Sequence, residues 1–263
     1  MIKDITIGQY IPGDTAVHNL DPRIKIIITF VFITLLFFVG NYFSYLYIVA
    51  FMGLAIGLSK ISLKFIVKGL KPLIVIILLT VVLNAFMTQG EVIYRLWGLS
   101  ITKEGLYQAG FMGLRLIFLI TGASLLTLTT SPIALTDGIE KLLNPLKRIG
   151  VPAHELAMMM TIALRFIPTL LEETDKIMKA QMARGADFET GNLINRAKAM
   201  VPLLVPLFIS AFRRADELAL AMEARCYRGG EKRTRMKQLK LEFRDYSAMM
   251  ITAVFCFLVI WSR

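Results

Sequence analysis

Residues 180–185 read Ala-Gln-Met-Ala-Arg-Gly, and residues 221–226 read Ala-Met-Glu-Ala-Arg-Cys. Both close a helix-like stretch inside a charged insert, residues 131–245, and the chain on either side of that insert is strongly apolar. What the insert is therefore decides the fold. Outside it, apolar runs occupy residues 24–39, 42–58, 72–87, 106–129 and, after the insert, 246–261. Each approaches the ~20 residues that cross a hydrocarbon core, with flanking residues to make up the length. The chain is 56% hydrophobic with a mean hydropathy of +0.63, where soluble domains average about 45–50% apolar. The excess is blocked rather than spread, which describes a polytopic membrane protein with five spans.

The basic residues alternate with those spans. Lys3, Arg23 and Lys25 precede or open the first run, and the Gly40-Asn41 connection has none. Lys60, Lys64, Lys68 and Lys71 fill the second connection; the third has Arg95 and Lys103 against Glu91 and Glu104, with Tyr94 and Trp97 placed as interface aromatics. Most of the remaining bases lie in the insert, and only Arg263 follows the last run. The positive-inside rule reads this as a cytosolic N-terminus, a cytosolic insert and an outside C-terminus. The net charge of +11 is then topological, and nucleic acid is not expected as a partner. The first 23 residues carry Asp4, Asp14 and Asp21 and no apolar core, so no signal peptide is expected there.

Within the insert, Ser131-Pro132 supplies a hydroxyl N-cap and then Pro at the first helical position, where no N–H is missed. Asn144-Pro145 and Gly150-Val151-Pro152 end that helix. A second helix runs from near Pro152 to Arg184, about 50 Å if straight, and Pro168 is expected to kink it. Its first half is apolar (Met158, Met159, Met160, Ile162, Leu164, Phe166), and its second half, from Glu172 to Lys176, is solvent-like. A third runs from about Leu193 to Tyr227. Its apolar middle, residues 200–212 with Pro202 and Pro206, is too short to span; its tail puts Ala215, Leu218, Ala219, Met222 and Cys226 on one face. Such helices are expected to lie at the cytosolic membrane face with their Arg-bearing ends projecting. Gly229-Gly230 then leads back to the membrane, with a short strand expected within residues 237–243.

One Ala-Arg-Gly tripeptide is most simply a helix C-terminus, with a cation on the dipole and Gly in the left-handed cap. Two similar ones, each closing a long helix, point further. Small neighbours let a partner's backbone approach, and the guanidinium reaches a carboxylate or helix-end carbonyls through several donors. Two similar sites imply two similar partners or one symmetric dimer. Arg115, inside the fourth run, is read as snorkelling or paired with a carbonyl or with Asn84, or else as a partner contact. No GxxxxGK[ST] occurs; His154-Glu155 is not HExxH because position 158 is Met; the two cysteines, Cys226 and Cys256, make neither a disulfide framework nor a metal set. No catalytic constellation is visible, and neither a resident cofactor nor a metal is expected.

Several segments together resemble a known family. Pro12-Gly13-Asp14-Thr15 with His18-Asn19-Leu20-Asp21-Pro22-Arg23, then Ile101-Thr102-Lys103-Glu104-Gly105-Leu106, are similar to signatures of the transmembrane coupling subunit of energy-coupling factor (ECF) transporters, the EcfT family. So are Arg165-Phe166-Ile167-Pro168, the stretch at 180–185 and Ala221-Met222-Glu223-Ala224-Arg225-Cys226-Tyr227, and the likeness covers essentially the whole chain. It departs at Cys226, where Gly often stands, and at Asn19, where a basic residue is common.

The resemblance implies an all-α membrane protein of about five transmembrane helices, with a cytosolic-face module of three amphipathic coupling helices between the fourth and fifth spans. Its parts are a membrane domain over residues 1–130, the coupling module over 131–245 and a C-terminal span over 246–263. Ala183, Arg184, Gly185, Ala224, Arg225 and Cys226 would dock two cytosolic ABC-type ATPases, which bind the ATP. Met158, Met159, Phe166, Leu203 and Leu207 would face a membrane-embedded, substrate-binding S component that captures a vitamin or other micronutrient. A multi-pass, non-enzymatic subunit in the cell membrane follows. The alternative is a self-contained secondary transporter, which needs internal repeats and polar groups at mid-membrane; the runs offer only Arg115 and Asn84.

Overall fold

The computed structural model describes residues 10–96, 99–186, 188, 193–229 and 239–262. Trp97 and Gly230 lie outside them. The described part falls into two compact units, one drawn from Gly8–Gly138 with Gln238–Arg263, the other from Ile139–Lys237. The C-terminal helix thus belongs with the N-terminal ones, and the second unit starts a little later than the turn at Ser131.

The first unit contains α1 (Pro22–Phe38), α2 (Tyr42–Ser59), α3 (Leu63–Leu70), a 3-10 turn (Lys71–Leu73), α4 (Ile74–Met87), α5 (Lys103–Thr129), the start of α6 (Pro132–Leu143) and, at the far end of the chain, α9 (Phe243–Trp261). Between α4 and α5 stand β1 (Val92–Leu96) and β2 (Leu99–Thr102), paired antiparallel. This hairpin was not anticipated. Of the stretch 237–243 where a short strand is expected, residues 237 and 238 lie outside the described residues, and Leu239–Glu242 is irregular up to the start of α9. The fold is otherwise helical. Among the described residues five helices are long and apolar enough to cross a membrane: α2, α3 with α4, α5, α9 and a helix of the second unit, α7 (Ala153–Ala183). The count matches the sequence and the membership does not. α1, at 17 residues, rises about 25 Å against a ~30 Å core. It nevertheless packs within the same apolar cluster as α2, α5 and α9.

That cluster contains Phe32, Leu35, Leu36, Tyr45, Ile48, Met52, Phe111, Phe255 and Val259. Phe51 stacks on Phe255 with centroids 4.3 Å apart. Gly122 faces the Phe32 ring so closely that a methyl group there would overlap it. Polar contacts pin the chain's ends to this core. The Asp21 backbone N–H donates to Asp245 Oδ1 at 2.8 Å, and Lys25 Nζ donates to the carbonyls of His18 (2.9 Å) and Thr129 (3.0 Å). Asp245 also accepts from the Glu242 N–H, closing a capping box at the start of α9.

The segments 12–23 and 101–106 each form a hydrogen-bonded turn or cap in this unit. Thr15 Oγ1 lies 2.6 Å from His18 Nδ1, Nε2 of that ring lies 3.1 Å from the Ile11 carbonyl, and Gly13 abuts the ring. Asp21 caps α1 and pairs with Arg23 at 2.6 Å. Burial raises the Asp21 carboxyl, but the hydrogen bonds from Arg23 outweigh it and hold the group below its usual range. Asn19 is exposed, so the departure there disturbs no packing. In the second signature Thr102 caps α5 by accepting the Gly105 N–H at 3.0 Å and donates to the Thr88 carbonyl at 2.8 Å. A side chain at Gly105 would collide with the Ala85 carbonyl. Arg115 donates to the Val39 carbonyl at 3.3 Å and lies over the Phe37 and Phe111 rings at 5.6 and 5.1 Å. Asn84 donates to the Thr80 carbonyl of its own helix. The carbonyl reading of Arg115 holds, and the pairing with Asn84 does not form.

Candidate docking site

The second unit is built on two long helices, α7 with 31 residues and α8 (Leu193–Ala224) with 32. Ahead of them, Ser131 caps α6 as expected, accepting the Ala134 N–H at 3.2 Å; a 3-10 stretch (Asn144–Ile149) follows, and Gly150 at φ +91° turns the chain into α7. Pro168, Pro202 and Pro206 all sit inside continuous helix.

α7 and α8 run antiparallel, as three sets of partners show. Tyr227 Oη lies 3.5 Å from His154 Nε2, and His154 Nδ1 lies 3.1 Å from Glu140 Oε1. Met158 and Ile162 line one groove with Leu218 and Met222. Further along, Ser210 Oγ donates to Glu173 Oε1 at 2.5 Å and Arg214 to Oε2 at 3.2 Å. Glu173 had read as plain solvent-facing helix; only its antiparallel partner gives it a role.

An antiparallel pair places its two C-termini at opposite ends. Arg184 closes α7 and Arg225 closes α8, about 45 Å apart by helix rise. Each is the cap residue of a Schellman turn. At the first, the Gly185 N–H donates to the Met182 carbonyl (2.9 Å) and the Ala186 N–H to the Gln181 carbonyl (3.0 Å). At the second, Cys226 donates to Glu223 (2.8 Å) and Tyr227 to Met222 (3.0 Å). The residue after the arginine is left-handed in both, Gly185 at φ +88° and Cys226 at φ +53°. The glycine geometry is therefore kept without the glycine. Ala183, Arg184, Gly185, Ala224, Arg225 and Cys226 are all exposed, and neither arginine forms an ion pair among the described residues. Beside Arg225 lies a groove of about 480 Å³, walled by Met158, Ile162, Met222, Tyr227 and Arg228 among others.

The apolar residues divide. Leu203, Leu207, Ser210, Arg214, Leu218 and Met222 share the face of α8 that meets α7. Leu203 is only 8% exposed and Leu207 half-buried, so Leu203 offers no free surface. Met159 is exposed, while Met158 and Phe166 are half-buried. The free surface is the opposite face of α8, where Val201, Leu204, Val205, Phe208, Ile209 and Phe212 are all exposed at helical spacing. Sequence reading saw the apolar block but not which side of it α7 covers; the polar Ser210 within the block and Arg214 just beyond it were the available signal.

Five described helices long and apolar enough to cross a membrane define a multi-pass membrane protein, and its two longest helices each end in an exposed arginine. Comparison with known proteins agrees. Residues 13–236 match the family CbiQ, described as "Cobalt transport protein". The chain is 64% identical over its full length to the energy-coupling factor transporter transmembrane protein EcfT of Thermosediminibacter oceani, covering 99% of that protein. It is 62% identical to EcfT of Clostridium kluyveri, covering 98% of it, and 49% identical to EcfT of Bacillus subtilis over the full length of both. The chain belongs to this family of energy-coupling factor transporter transmembrane proteins.

Proposed function

We propose that the chain couples two cytosolic ABC-type ATPases to a membrane-embedded S component, with Arg184 and Arg225 each seated in one ATPase. The observation that carries the reading is the doubled cap, in which the same hydrogen-bond frame presents an exposed arginine at each end of one antiparallel helix pair. Two equal motors need two equal sockets, and a rigid rod between the sockets turns their closure into a change of angle between α7 and α8. The exposed apolar face of α8 from Val201 to Phe212 is where the S component docks, with Met159 from α7. ATP binds to the partners, and the chain itself catalyses nothing and carries no cofactor. The basic second connection and helix pair lie on the cytosolic side and the C-terminus outside, as the alternation of Lys and Arg supports. The cargo is a vitamin or another micronutrient chosen by the S component.

The test is co-purification together with ATP-driven uptake in proteoliposomes. Arg184→Ala with Arg225→Ala is expected to lose the ATPases and keep the S component. Phe208→Ser with Phe212→Ser is expected to do the reverse. A double arginine variant that assembles and transports at the normal rate overturns the docking assignment. Substrate uptake by the chain alone would favour a secondary transporter.

A further inference from the structure

The outward face of the helix that runs from α3 through the 3-10 turn into α4 has the dimensions and polarity of a phospholipid. At 3.6 residues per turn, Lys64, Lys68, Lys71, Val75, Leu78 and Val82 fall on one face. The three lysines are exposed, and none forms an ion pair among the described residues. No acidic residue occurs in the sequence between Asp21 and Glu91, so neither this helix nor the connection before it supplies a counter-charge. Below them the stripe is bare: Val75 is 70% exposed, Leu78 65% and Val82 41%. The opposite face is occupied. Ile66 is buried, Gly69 faces Ser124, and Val81 packs against Gly113, the latter two partners in α5. From Lys71 to Val82 the helix rises about 16 Å, close to half the ~30 Å hydrocarbon core, the depth of one leaflet.

We infer that this face holds an anionic phospholipid, with its phosphate on the ammonium groups of Lys64, Lys68 and Lys71 and an acyl chain along Val75, Leu78 and Val82. Charge complementarity selects the occupant. An apolar partner helix would cover the stripe but leave three cations without a counter-charge, and a zwitterionic headgroup brings an ammonium of its own. Each lysine near an anionic lipid surface strengthens binding several-fold.

Native mass spectrometry of the full chain, extracted from bilayers of mixed phosphatidylglycerol and phosphatidylcholine, tests this. The wild type is expected to retain phosphatidylglycerol over phosphatidylcholine by roughly tenfold. Lys64→Gln/Lys68→Gln/Lys71→Gln brings the preference close to one, and the triple Arg variant at the same positions keeps it. Lys147→Gln/Lys176→Gln/Lys179→Gln, which removes equal charge elsewhere, also keeps it. A preference that survives the first triple, an equal loss in the control triple, a loss in the Arg variant, or displacement of the retained lipid by inorganic phosphate would each overturn the inference.

Discussion

The two ends of the helix pair have the same backbone and different chemistry. After Arg184 the left-handed position is a glycine; after Arg225 it is a cysteine. A residue with a Cβ pays roughly 1 kcal/mol or somewhat more to sit there, yet the hydrogen bonds of the second turn match those of the first to within 0.1 Å. The frame is fixed by satisfying the last carbonyls of the helix, and residue type only tunes its energy. At the second end Tyr227 adds a support: it lines the groove with Met222, the residue whose carbonyl it caps, and reaches His154.

The comparison can be broken at several strengths. Removing both guanidiniums, Arg184→Ala with Arg225→Ala, is expected to weaken ATPase association at least 100-fold, since buried arginine anchors are worth 2 kcal/mol or more each; a pull-down titration reads this. Gly185→Ala is expected to cost about 1 kcal/mol, seen as a lower unfolding temperature, whereas Cys226→Ala should be near neutral and Cys226→Gly stabilising by up to about 1 kcal/mol. If Cys226→Gly destabilises, the side chain contributes contacts that outweigh its backbone strain. Glu173→Gln leaves Ser210 a partner but removes the ion pair with Arg214, a partly exposed contact worth about 0.5 kcal/mol, and should lower both ends' stability alike.

The smallest effect lies in the membrane unit and serves as the contrast. Burial chiefly, and Lys25 to a lesser degree, hold His18 below the ordinary imidazole value despite the opposing Ile11 carbonyl and Asp14. The unfolded chain therefore takes up a proton before the folded one does. Stability is full above about pH 6.5 and falls as the pH drops below it. Thermal unfolding should show a lower midpoint at pH 5.5 than at pH 7.5, a small difference that His18→Gln abolishes. An equal fall in the variant would place the titration elsewhere.

How far the sequence was legible differs between the two units for a physical reason. Spans are written in composition, so four of the five long apolar helices lie where the runs are, and α1 falls short because Gly40-Asn41 stops it early. The signatures around His18 and Thr102 are partly local, as in the contact of Thr15 with His18, but the bond that ties Asp21 to Asp245 spans most of the chain, and no local pattern contains it. In the helix pair the caps were readable at Arg184 and Arg225 because a cap is local. The facing of α8 was not, because apolar residues surround the helix between Met200 and Phe212 and only contact with α7 separates Leu203, which it buries, from Phe208, which it leaves free. The β1–β2 hairpin was hidden by its brevity.

The claim that each end takes one motor has a direct test in the cysteine that distinguishes them. In a Cys256→Ala background, a thiol-linked photo-crosslinker on Cys226 should join one ATPase to the chain. Gly185→Cys with Cys226→Ala moves the reporter to the other end and should also give one. Gly185→Cys with Cys226 retained should yield a chain carrying two ATPases, resolved by mass. A product that never exceeds one ATPase, or that carries the S component at either end instead, would contradict the assignment of Arg184 and Arg225 as paired sockets.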